Sequence, residues 1–90
     1  METSTSNQYI NDIRNFIVEN FLFGDGSSLQ HETSFMESGI LDSTGVLELV
    51  TFLETTFGIK VIDREMVPEN LDSVSRAAAF AVRKVSEKAA

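Results

Sequence analysis

Cysteine is absent from the 90 residues, so the chain can build neither a disulfide framework nor a thiolate metal site of its own. Proline occurs once and glycine five times, which leaves few obligatory breaks in helical periodicity. Bases are scarce: seven lysines and arginines against fourteen acids give a net charge of −7 at pH 7. The imbalance is uneven, with thirteen acids and three bases in residues 1–75 but one acid and four bases in residues 76–90. A body so acidic is a poor match for a polyanion, and nucleic acid is not expected as a partner. It suits a basic protein surface, because complementary potential speeds encounter and rejects wrong partners. Plain solubility is the alternative explanation of the same acidity. No apolar run approaches the ~20 residues of a membrane span. Residues 1–8 are polar and uncharged apart from Glu2, unlike a signal peptide. No membrane insertion, a cytoplasmic location and a monomeric state are the expectations.

What is present is helical pattern. Ninety residues suffice for one domain burying ~60–65 % of its unfolded surface, and 42 % are apolar. After a lead-in at 1–6, expected to be disordered, a first helix is predicted from about Asn7 to Asn20. Ile10, Ile13, Ile17 and Phe21 form its stripe, with Tyr9 and Phe16 beside it. Gly24-Asp25-Gly26-Ser27-Ser28 breaks the pattern, and a long loop runs to Leu41, with Leu29, Phe35, Ile40 and Leu41 expected to pin it to the core. A second helix spans about Ser43 to Thr56. Val46, Leu49, Val50, Leu53 and Phe57 share its buried face, and Thr44, Glu48, Thr51 and Thr55 form a narrow polar strip edged by Glu54. Gly58 should end that helix, followed by an extended connector at Ile59–Ile62 and one helical turn at Asp63–Met66 with Asp63 as its cap. Pro68 disfavours helix at Val67 and limits that turn. A final helix from about Asp72 to Ser86 would turn Val74, Ala78, Ala81 and Val85 inward and place Arg83, Lys84 and Lys88 near its C-terminus, where the dipole favours them. The expected fold is all-α: a small four-helix bundle of three main helices and one short one, with a long loop between the first two. Residues 7–88 form the domain.

The stretch that carries chemistry is Asp42-Ser43-Thr44. A seryl hydroxyl stands where an amphipathic helix begins, so an anionic ester formed on it would face free backbone N–H groups and the positive end of the helix dipole. Ser38 to Val74 resembles the acyl carrier and peptidyl carrier protein family. The matching residues are Gly39-Ile40-Leu41-Asp42-Ser43, Glu48-Leu49, Phe57-Gly58-Ile59 and Val67-Pro68-Glu69-Asn70-Leu71-Asp72-Ser73-Val74; with the flanking helices the likeness covers nearly the whole chain. The resemblance implies a free-standing, non-enzymatic carrier whose Ser43 receives 4′-phosphopantetheine from coenzyme A through a phosphopantetheinyl transferase. It also implies partners that include a ligase loading acyl or aminoacyl groups, and pathway enzymes downstream of it. Asp42, Thr44, Glu48, Thr51 and Glu54 are the candidate partner contacts, Glu48 matching an acidic contact position of the family. Ordinary solvated surface is the alternative for the acids. Where the family often has an acid two residues after the serine and more at the end of the second helix, this chain has Gly45, Thr55 and Thr56. That departure points away from fatty-acid synthesis, and the segment from Phe57 to Asn70 is more similar to carriers of aminoacyl or specialised-metabolite pathways.

Competing assignments are weaker. Leu71-Asp72-Ser73 repeats the tripeptide, but a proline lies upstream and an alanine-rich, increasingly basic helix follows, so Asp72 and Ser73 read as helix-start chemistry. A hydrolase elbow needs glycine two residues before the serine, where Leu41 stands; His31, the one histidine, is expected on the loop surface. Asp25-Gly26-Ser27 lacks the further acids of a calcium loop, and no metal is expected. The rival from another class is an unmodified helical adaptor that binds a partner through the same acidic face.

Overall fold

The computed structural model describes residues 2–89, with side chains for residues 7–88. It is all-α, with no strand among the described residues: α1 (Glu2–Phe21), α2 (Ser43–Phe57), α3 (Pro68–Leu71) and α4 (Val74–Ala89), plus one 3₁₀ turn at Asp63–Glu65. Three helices are long and one is short, as expected. α1 starts earlier than the expected Asn7: residues 2–6, taken from sequence as a disordered lead-in, continue the helix, and neither proline nor glycine stands there to stop it.

The short helix is not where the sequence placed it. Asp63–Glu65 makes only a 3₁₀ turn; Ile62 rather than Asp63 stands at its cap position, and its N–H donates to the Glu65 carboxylate at 3.1 Å. Pro68 does interrupt the chain after that turn, but it also opens α3 as the first residue of the helix. Proline is pre-organised for that position, where its missing N–H costs nothing. α4 begins two residues later than expected because Ser73 serves as its cap, its Oγ accepting from the Arg76 N–H at 3.0 Å.

α1 packs on α4 and on α2. Tyr9 stacks on Phe57 with ring centroids 4.4 Å apart and Phe16 on Phe52 at 4.3 Å; Phe21 approaches Gly45. Rising numbers on one helix meet falling numbers on the other, so α1 and α2 are antiparallel and the end of α1 lies beside the start of α2. Ile13, Ile17, Leu49, Val50, Leu53, Val74 and Ala81 are buried as expected. Phe57 is only half-buried, because its ring lies on Tyr9 at the margin. Val18, Ile59, Val61, Leu71, Ala77 and Phe80 complete the core.

The long loop is held by specific contacts. Leu29, Phe35 and Leu41 are buried in the core, Ile40 less deeply. The Arg14 guanidinium donates to the Gly26 carbonyl at 2.8 Å. Farther along, the Phe35 N–H donates to the Asp72 carbonyl and the Ser75 N–H to the His31 carbonyl, each at 2.9 Å. The loop is thereby fastened to the α3–α4 junction, and it delivers Leu41-Asp42 to the start of α2.

Candidate functional site

Asp42 is the cap of α2. Its extended backbone lets the carboxylate Oδ1 accept from the Gly45 N–H at 2.8 Å, which satisfies one of the four donors a helix start leaves unpaired. Ser43 is therefore relieved of capping. It is the first residue of the helix, it is exposed, and among the described residues its hydroxyl makes no hydrogen bond. The Val46 N–H bonds the Asp42 carbonyl, so the N–H groups of Ser43 and Thr44 remain free beside that hydroxyl. An exposed, uncommitted nucleophile next to two free donors at the positive end of a 15-residue helix can accept and stabilise an anionic phosphodiester.

Ser73 is the contrast. It is 2 % exposed and its Oγ is engaged as the α4 cap, so the second Leu-Asp-Ser is structural, as its context indicated. Asp72 is structural too. Its carboxylate accepts from the Ser34 hydroxyl and, at 2.9 Å, from the Met36 N–H. His31 is exposed on the loop. Asp25 accepts from the Ser27 N–H at 3.0 Å, and hydrogen bonding from Ser27 holds its carboxyl below the usual range; this is a local turn. Among the described residues no group of three or more acids or histidines could hold a metal ion.

A cleft of about 270 Å³ opens beside Ser43. Val46 and Leu47 of α2 form one wall, Met66, Val67, Pro68 and Leu71 the other, and Met36 and Asp72 close its loop side. Met36 and Leu47 stay largely exposed, at 47 % and 56 %. The lining is apolar apart from Ser43 and Asp72, and sequence reasoning missed it: there Pro68 reads only as the limit of the preceding turn, so α3 as a wall is not foreseen.

On the other side of α2 lies the expected polar strip. Thr44, Glu48, Thr51 and Thr55 are exposed and line an open groove with Phe16, Leu47 and Phe52. Its polarity is lower than the residue types suggest. The Thr51 hydroxyl donates to the Leu47 carbonyl at 3.1 Å and that of Thr55 to Thr51, so both are engaged by their own helix. Glu54 stands apart from this strip: half-buried, it accepts from the Val61 N–H at 2.9 Å and fastens the connector to α2. Gly45 has a packing reason. A Cβ there would lie 3.0 Å from Leu41 Cδ2 and 3.3 Å from Phe21 Cε1, so the position where the resembled family often carries an acid is crowded by Leu41 of the loop and Phe21 of α1.

No family model matches this chain, and a search of the curated proteins finds no match either. Among the described residues no helix is long and apolar enough to cross a membrane.

Proposed function

We propose that the chain is a carrier protein whose Ser43 bears 4′-phosphopantetheine. The observation that carries this reading is the division of labour at the start of α2: Asp42 caps the helix, leaving the Ser43 hydroxyl exposed and unbonded beside two free N–H groups. Ser73, by contrast, is buried and its hydroxyl oxygen is engaged as the cap of α4. The residues fit the group. Ser43 supplies the ester oxygen, the helix start stabilises the phosphodiester charge, and the cleft from Val46 to Pro68 offers apolar shelter beside the attachment point. When bound, the group supplies a terminal thiol that holds an acyl or aminoacyl cargo as a thioester. The protein's own contribution is positional, presenting a tethered cargo to successive enzymes at high effective concentration.

Its partners are then a phosphopantetheinyl transferase, a loading ligase and downstream enzymes, reading Asp42, Thr44, Glu48 and Thr51 along α2. The chain itself performs no catalysis. The competing adaptor function uses the same face without modification. Intact mass before and after incubation with coenzyme A and a broad-specificity phosphopantetheinyl transferase separates the two: a carrier gains one phosphopantetheine, an adaptor none.

A further inference from the structure

The groove lined by Thr44, Glu48 and Thr51 does not end on α2. A second depression, lined by Asp12 and Glu19 of α1 and by Thr56, shares Phe16 and Phe52 with it. The two meet at the stacked Phe16–Phe52 pair and together make a shallow, open trough along the antiparallel helices. Its lining holds three acids, Asp12, Glu19 and Glu48, and no base. The nearest base in sequence, Arg14, is turned away onto the loop carbonyl of Gly26. From Thr44 to Thr55 the trough follows α2 for ~16 Å at the helical rise of ~1.5 Å per residue, the length of about three turns. The trough and the Ser43 cleft share one residue, Leu47, which stands as an exposed ridge between them.

We propose that this trough docks a basic amphipathic helix of a partner protein. An aliphatic side chain of that helix lies on the Phe16–Phe52 pair, and its lysines or arginines meet Glu48 on one rim and Asp12 and Glu19 on the other. An apolar floor between acidic rims is complementary to such a helix. The inference deepens the carrier reading by naming the partner's chemistry and extending the contact onto α1. It also separates two tasks: a partner seated in the trough leaves the cleft on the far side of Leu47 free for the arm and cargo.

The test is a titration of ¹⁵N-labelled, unmodified protein with a synthetic three-turn Leu/Lys amphipathic peptide and with its Leu/Glu counterpart. The Lys peptide should perturb amides of residues 12–20 and 44–56, and the Glu peptide should perturb none. Asp12→Lys combined with Glu19→Lys should weaken binding at least about tenfold, since it sets like charges against the peptide's lysines. Thr51→Trp, which fills the trough and keeps every acid, should weaken it as well. Four outcomes would overturn the proposal: perturbation centred on Met36, Met66 and Val67; equal affinity in the Asp12/Glu19 variant; equal binding of the acidic peptide; or trough shifts that grow with protein concentration alone, the mark of a second copy. Because the unmodified chain is used, the result is independent of whether Ser43 can be loaded. Trough binding with no mass gain at Ser43 would support this docking surface and refute the carrier reading.

Discussion

Removing the Asp72 carboxylate should loosen the long loop from the α3–α4 junction and lower stability by about 2 kcal/mol. That carboxylate accepts two bonds, from the Ser34 hydroxyl and the Met36 N–H, and bonds to charged groups contribute ~1.5–3 kcal/mol each. Asp72 is half-buried and Met36 exposed, so water replaces much of what alanine removes, which brings the pair below the ~3–6 kcal/mol of two fully buried bonds to about the value of one. The backbone bond from Phe35 to the Asp72 carbonyl survives the change, and the buried Phe35 and Leu41 still anchor the loop. For a domain of this size, ~2 kcal/mol corresponds to a fall in Tm of roughly 8–16 °C. Asp72→Asn should cost less, under ~1 kcal/mol, since the amide oxygen still accepts from Met36 and the amide nitrogen can donate to the Ser34 oxygen. Urea denaturation gives the stability, and amide exchange at Met36 the local effect. Asp72→Ala within ±0.5 kcal/mol of wild type, the range of ordinary surface changes, or an asparagine variant as damaged as the alanine one, would refute this account of the latch.

Leu53 is fully buried, and Leu53→Ala should cost about 2–5 kcal/mol by calorimetry, with the unmodified protein unfolding cooperatively in its absence and presence alike. Glu65 is held below its usual range first by the Ile62 N–H and then by Lys84, 3.0 Å away. A lowered carboxyl stabilises the folded state fully above its ordinary value of about 4.5 and loses that contribution as pH falls through the folded value. The stability advantage of wild type over Glu65→Gln should therefore be present at pH 6, vanish in strong acid, and amount to at most ~1 kcal/mol. Glu48→Lys should lower kcat/KM for the transferase far more than stability. The wild-type rate should fall with added salt, since screening shortens the reach of the attraction to ~8 Å near physiological ionic strength; equal rates in both proteins at both salts would leave the strip as solvated surface.

The long helices were legible because their signals are local. α2 shows its apolar stripe, the Asp42 start and Gly58, whose left-handed φ of 67° ends it. The short elements were not, because each is decided by one tertiary contact. Asp63–Glu65 is a 3₁₀ turn whose Glu65 carboxylate accepts both from the Ile62 N–H and from Lys84 of α4, a contact remote in sequence. Pro68 reads equally as a stop and as a start, and the packing of α3 on α4 decides it. At the site, Ser43 and the strip were visible as residue types on a periodic face. The cleft was not, since it needs Met36 and Pro68, 32 positions apart in sequence, on two of its sides. Glu54 illustrates the limit: an acid on the edge of a helix looks free until the loop that follows folds back to it.

The central claim is that Ser43 is the modified residue, and fragmentation of the loaded protein tests it most directly. After treatment with coenzyme A and a broad-specificity phosphopantetheinyl transferase, the added mass should map to Ser43. It should disappear in Ser43→Ala without loss of helicity and persist in Ser73→Ala, provided that variant, lacking its buried cap, still folds. Modification mapped to any other serine, or undiminished in Ser43→Ala, would contradict the account.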